Sequence, residues 1–187
     1  LHAPDARLGS LWDALWAGGE PHGIVPFGSA AMNGMRMEKA YRGGSELTND
    51  ASPIHADIMR FVKLDKEFVG RAEVLSRRQR GESSVIAYLE VEVSDQDCLG
   101  GEAVFAAGTK VGSVSSGAFG PITGKSLAFA YLKPAFAALG TELQVSIFGD
   151  LRRARVLGAP VLDPENSRLK AEGPRSADTQ EKAMATP

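Results

Sequence analysis

Ser84-Val-Ile-Ala-Tyr-Leu-Glu-Val-Glu-Val93 alternates along its length and is rich in β-branched residues, the pattern of a strand that buries at least one face. Five more runs of this kind follow, at 103–106, 110–115, 127–132, 142–148 and 153–162. Gly100-Gly101, Gly108, Gly117, Gly120-Pro121, Gly140 and Gly149-Asp150 separate them. Six short strands broken by glycine turns predict a compact antiparallel barrel or sandwich of about 85 residues.

Upstream of Gly81 the texture is helical. Leu8, Leu11, Trp12, Leu15 and Trp16 repeat at the spacing of one helix face, Asp5 suits the first turn, and Gly18-Gly19 ends the run. On that face the two tryptophans are expected as core anchors. Residues 28–36 read as a short helix that runs into an extended segment. Ser52-Pro53 has the form of an N-cap followed by proline, so Ile54–Met59 is expected to be helical and Phe61–Leu64 extended. Gly70–Arg80 reads as a polar helix whose arginines 77, 78 and 80 form a solvated end. The expected class is α+β, with an incomplete α/β domain over residues 1–81, an antiparallel β-barrel over 82–169, and a polar, disordered tail over 170–187.

Composition removes several functions. Twenty-one basic against 23 acidic residues leave a net charge of -2, without the basic field that nucleic acid requires. No apolar run approaches the roughly 20 residues that span a bilayer, and no basic-then-apolar leader opens the chain, so a membrane role is not expected. The one cysteine, Cys98, rules out an internal disulfide framework and any multi-cysteine metal site, and the expected compartment is a reducing cytoplasm. The chain opens on Leu1-His2-Ala3-Pro4 rather than on methionine, as a cleaved or truncated piece does.

Few residues carry chemistry on their own. Gly120-Pro-Ile-Thr-Gly-Lys125-Ser126 has three residues between its glycines and a strand after them, where a phosphate-binding loop needs four and a helix; a hairpin loop is expected. His2, His22 and His55 are too far apart to form a zinc motif, and no G-x-S-x-G elbow presents a nucleophilic serine. Nothing near Cys98 activates it, so it reads as a packed thiol. Arg36 and Glu38 stand two apart. On an extended segment they point to one side and pair, bracing a sheet, whereas on a helix they diverge. The other use of this stretch is that Arg36, Tyr41 or Arg42 faces an anionic or aromatic ligand.

The stretch Phe27-Gly-Ser-Ala-Ala-Met-Asn-Gly-Met-Arg-Met-Glu-Lys-Ala-Tyr-Arg42, with Glu46-Leu-Thr-Asn, Ser52-Pro-Ile-His-Ala and Arg60-Phe-Val-Lys-Leu-Asp-Lys66, resembles the folate domain of dimethylglycine and sarcosine dehydrogenases. These belong with the aminomethyltransferase, or T-protein, family of glycine cleavage. Lys110–Gly117, Lys125–Tyr131 and Asp163–Arg168 resemble the C-terminal barrel of the same family, and the likeness covers roughly residues 1–169. The resemblance implies one-carbon transfer from a small N-methyl amine to tetrahydrofolate, giving 5,10-methylenetetrahydrofolate, and FAD only where an upstream dehydrogenase domain exists. The family's catalytic aspartate and pterin-holding glutamate map before Leu1, so no catalytic residue is assigned here, and an upstream polypeptide is expected to complete the site. Leu1 and His2 follow directly on the position of that glutamate. They are assigned to the cofactor with Tyr41 and Arg60, whose guanidinium can stack on a pterin or p-aminobenzoyl ring. Two departures limit the likeness: Ala31-Met32-Asn33 replaces the family's Ala-Arg-Asp, and His55 stands at a usual glutamate. The implied function is the C-terminal part of a folate-dependent aminomethyltransferase or demethylase, the chain alone being inactive. The alternatives are a non-catalytic folate-binding or scaffold module and a non-oxidative sulfonium demethylase. An apolar face left without its sheet partners makes an oligomer possible.

Overall fold

The computed structural model describes residues 2–170; Leu1 and the expected tail from residue 171 onward lie outside the described residues. Two compact units divide between Met32 and Asn33. In the first, a 3-10 turn at Asp5–Arg7 leads into α1 (Leu8–Gly19), where Trp12 and Trp16 stack with ring centroids 5.9 Å apart. The expected core anchoring does not occur among the described residues. No residue of α1 is buried, and Trp12 is 59% exposed. A unit of this length falls below the roughly 40 residues needed to build a core without staples.

The second unit is organised by a closed antiparallel barrel of six strands: β1 (Val85–Val91), β2 (Ala103–Ala106), β3 (Thr109–Gly120), β4 (Lys125–Leu132), β5 (Glu142–Ile147) and β6 (Asp150–Leu157). Their order around the barrel is β1-β4-β3-β2-β5-β6. The interior is filled by small and branched side chains, among them Leu89, Val104, Val114, Ala130, Leu132, Val145 and Val156, with Cys98 packed against them. β5 and β6 alternate buried and exposed residues, because only their inner face is covered. β1 and β4 are almost continuously buried, because their outer face is covered too. There Ile86, Tyr88, Leu127 and Phe129 form a second cluster with Met37 of α2 (Ser29–Glu38). Each large side chain in it contributes about 1.5–3 kcal/mol by leaving water. Tyr88 adds direction, since its hydroxyl donates to Met37 O at 2.7 Å.

Sequence and structure part in the segment that covers this outer face. The extended stretch expected after Arg36 is helix as far as Glu38. Gly34 permits this close approach: a Cβ there would sit 2.8 Å from Phe119 O. Helical geometry sends Arg36 and Glu38 in different directions, so the sheet-bracing pair expected between them does not form. The helix ends with Ala40 at φ +50, Tyr41 N donating to Arg36 O and Ala40 N to Met37 O, a left-handed cap of the Schellman type. The same closure recurs in the next segment. Ser52 Oγ accepts His55 N at 3.0 Å as expected of an N-cap, but Asp57 turns left-handed at φ +52 and Ile58 N donates to Pro53 O. The helix expected over Ile54–Met59 therefore stops after one turn. A 3-10 turn at Met59–Phe61 follows, and the stretch after it joins no strand among the described residues. α3 (Arg71–Arg80) is the polar helix expected, with Arg77 and Arg80 donating to Glu73 in solvent.

Candidate functional site

The turn between α2 and the barrel is built on a buried carboxylate. Glu46 is fully buried, and its Oε2 accepts Gly43 N at 2.7 Å and Arg36 Nη1 at 3.1 Å. Its Oε1 accepts the hydroxyls of Ser115 at 2.7 Å and Ser116 at 2.5 Å. Consecutive strand residues ordinarily face opposite ways. Here β3 shifts register against β4 between Val114 and Ser116, and this bulge lets both serines reach one oxygen. Arg36 has every donor group engaged: Nε on Asn33 Oδ1 at 2.8 Å, Nη2 on Ser116 Oγ at 2.9 Å, and Nη1 also near Tyr41 O at 3.3 Å. Tyr131 completes the shell by donating its hydroxyl to Glu46 O at 2.6 Å.

A second carboxylate does the same work at the β3–β4 hairpin. Glu38 is fully buried, and its Oε1 accepts Ile122 N at 2.9 Å, Thr123 N at 2.7 Å and Thr123 Oγ1 at 3.0 Å. The stretch 120–126 is therefore the hairpin loop expected, and the amides it could offer to a phosphate are occupied by a side chain of the protein itself. Both carboxylates hold backbone in place and neither is presented to solvent. That role went unseen at the sequence level, because Glu46 and its serine partners stand about 70 residues apart and only the bulge brings them together.

Carried on this frame, Tyr41 and Arg60 reach the surface. Tyr41 is half exposed, one residue past the cap of α2. Arg60 lies in the 3-10 turn with its guanidinium carbon 4.7 Å from the centroid of the Phe61 ring, and Phe61 is 70% exposed. Among the described residues Arg60 makes no ion pair, so its charge is free for a ligand. An exposed aromatic face capped by an unpaired guanidinium suits a flat, anionic, aromatic molecule. Arg36 and Arg42 serve elsewhere: both guanidinium groups lie over buried Phe129, 6.0 and 5.7 Å from its centroid. His2 is exposed and lies in the first unit, and Leu1 lies outside the described residues. Tyr41 and Arg60 do not line the cavity of about 690 Å³ formed by residues of β1, β2, β5 and β6, whose charges are Glu90, Glu92, Glu142, Arg153 and Arg155.

His55, the residue at a usual glutamate position, is placed structurally. Its Nε2 is 2.6 Å from Ser84 Oγ and its ring lies 4.2 Å from that of Tyr131. Burial lowers its pKa, Glu82 opposes that shift and Arg77 adds to it. Cys98 is the packed thiol expected, its pKa pushed up to about 12 first by burial and then by Glu102 and Asp97.

Residues 1–66 match the GCVT N-terminal domain, and residues 85–163 match the glycine cleavage T-protein C-terminal barrel domain. The chain belongs to the glycine cleavage T-protein family. An aminomethyltransferase of Shouchella clausii is 38% identical over 163 residues, which are 86% of this chain and 44% of that protein. The mitochondrial dimethylglycine dehydrogenase of Homo sapiens is 32% identical over 169 residues, 88% of this chain and 20% of that protein. The crystal structure of the glycine cleavage system aminomethyltransferase T from Bartonella henselae superposes with a TM-score of 0.75 at 26% identity, over 86% of this chain and 45% of that one. This T-protein family chain thus spans a fifth to under half the length of these relatives.

Proposed function

We propose that this chain forms the C-terminal part of a tetrahydrofolate-dependent aminomethyltransferase or demethylase, which passes a one-carbon unit from an N-methyl amine to tetrahydrofolate. The reading rests on one observation: both domains of the T-protein family follow each other along this chain in family order. The local chemistry agrees, since Arg60 and Phe61 offer a stacking face and a free positive charge and Tyr41 a second exposed ring. Tetrahydrofolate fits these groups, being aromatic along its length and anionic at its glutamate end. When bound it supplies the nitrogen that accepts the carbon unit. Arg60 and Tyr41 hold and orient it, which contributes proximity rather than proton transfer. The glycine turn Gly120–Gly124 does not offer the amides of Ile122 and Thr123 to a flavin phosphate, because both donate to Glu38. A flavin and the reacting acid belong, in this reading, to polypeptide upstream of Leu1, which also covers the apolar face of α1.

A second reading, a non-catalytic folate-binding module, is favoured by the commitment of Glu38 and Glu46 to backbone and serine donors. Calorimetric titration separates the two. Tetrahydrofolate is added to the chain alone and to the chain mixed with the upstream part of a full-length dimethylglycine dehydrogenase, whose flavin domain supplies the oxidant that an N-methyl amine requires. Saturable binding that Arg60→Ala weakens about tenfold, with turnover of an N-methyl amine only in the mixture, is the expected result. Binding without turnover in either arm favours the module. Absence of binding in both arms overturns the folate reading.

A further inference from the structure

Arg42 and Asp57 join the two turns that carry the exposed candidate residues. Arg42 Nη2 donates to Asp57 Oδ2 at 2.8 Å, between an arginine side chain 16% exposed and an aspartate 75% exposed. The arginine is braced from behind, its guanidinium over the buried Phe129 ring. Arg42 directly follows Tyr41. Asp57 closes the one-turn helix after Ser52 and stands two residues before the Met59–Phe61 turn that contains Arg60. Both segments end in left-handed caps on residues other than glycine, at Ala40 and Asp57, so each leaves its turn in a direction fixed by the backbone.

We infer that the Arg42–Asp57 pair is a positioning latch that fixes the Tyr41 turn against the Arg60–Phe61 turn, so that the two present one preformed surface to a flat anionic ligand. The latch rests on the folate reading only for the identity of that ligand. An ion pair with one partner so exposed adds little to global stability, because water solvates the separated charges nearly as well. Its effect is local: it removes the freedom of two surface turns to move apart, and a ligand that touches both then pays less ordering entropy on binding.

Asp57→Asn is the test, since asparagine keeps the size and the tolerance of a left-handed backbone while losing the charge. Hydrogen exchange on the full chain is read first. The expected result is faster exchange, by roughly tenfold, at Tyr41–Leu47 and Asp57–Val62, unchanged exchange in the barrel strands, and a Tm within about 2 °C of the parent. Tetrahydrofolate affinity, measured in whichever arm of the titration binds, falls by about tenfold in Asp57→Asn and recovers in part in Asp57→Glu, which keeps the charge. Unchanged exchange in both turns overturns the latch whatever the titration shows. Faster exchange with equal affinity overturns its part in binding. A parent chain that binds no tetrahydrofolate in either arm overturns the folate reading alone, and the exchange result still decides the latch.

Discussion

Glu46 is worth more to this molecule than any residue assigned to the ligand. Its two oxygens collect Arg36, Gly43, Ser115 and Ser116, and Glu46→Gln would turn an amide NH2 toward some of these donors. Breaking a buried pair from one side costs about 3–5 kcal/mol, so urea unfolding of Glu46→Gln is expected to show a loss of that order; a loss below 1 kcal/mol sinks this view of the cluster. His55 sets the pH response near neutrality. Because burial lowers its pKa from the usual 6.5, the unfolded chain takes up the proton first as pH falls. Its contribution is therefore complete above about pH 6.5 and declines below it toward the folded pKa. Tm measured from pH 7.5 to 5.5 should fall in the parent and fall less in His55→Gln. Cys98, buried with its pKa near 12, should react with a thiol reagent only at the rate of unfolding. Of these residues the sequence revealed the inert thiol, while family likeness named Tyr41 and Arg60 only as candidates for the ligand. It did not reveal the Glu46 cluster, because a lone glutamate in Gly43-Gly44-Ser45-Glu46 reads as solvated loop until β3 is bulged against it.

The strands were legible as elements because period-two burial and most glycine turns are local signals, and the change of texture after Gly81 falls just before β1 begins at Val85; but Gly117, expected as a break, lies inside β3, and the run expected over 153–162 is strand only from Asp150 to Leu157. What escaped is tertiary. The helix that continues to Glu38 does so because Met37 finds the outer face of β1 and β4, a partner some 50 residues away. Ile54–Met59 is cut short by the left-handed Asp57, a residue type that sequence alone reads as neutral. The β5–β6 hairpin illustrates a local rule that the chain violates. Phe148 and Gly149 turn it with φ of +50 and +95, a two-residue turn for which asparagine followed by glycine is preferred. Phe148 is 87% exposed, so among the described residues little packing offsets the strained backbone. Phe148→Asn should therefore raise stability by about 0.5–1 kcal/mol in urea unfolding. A loss of stability would mean that the ring has a partner in the full protein.

The second unit holds two cores, the barrel interior and the outer face of β1 and β4. The barrel interior closes on itself, but the outer face of β1 and β4 takes its largest covering side chain, Met37, from before residue 82, with Leu157 and Val161 packed beside it. The domain boundary expected at 81/82 from sequence texture therefore makes a physical claim that shortened chains can examine. A chain that begins at Ser29 keeps α2 whole and retains Met37, the Glu38 and Glu46 clusters and both capped turns. It should unfold in one cooperative transition with a Tm close to that of the full chain, since α1 buries none of its own residues. A chain that begins at Glu82 keeps every strand but bares Ile86, Tyr88, Leu127 and Phe129. Loss of that cover removes several side chains' worth of burial at about 1.5–3 kcal/mol each. The shorter chain should bind a hydrophobic dye, associate, and melt well below the longer one while its far-ultraviolet spectrum stays strand-like. Equal melting of the two would show that the barrel is self-sufficient and that residues 33–81 are held by it without stabilising it in return. The expected gap in Tm says the reverse: the segment that carries Tyr41, Asp57 and Arg60 is part of what keeps the barrel folded, so the candidate surface and the scaffold are one cooperative structure.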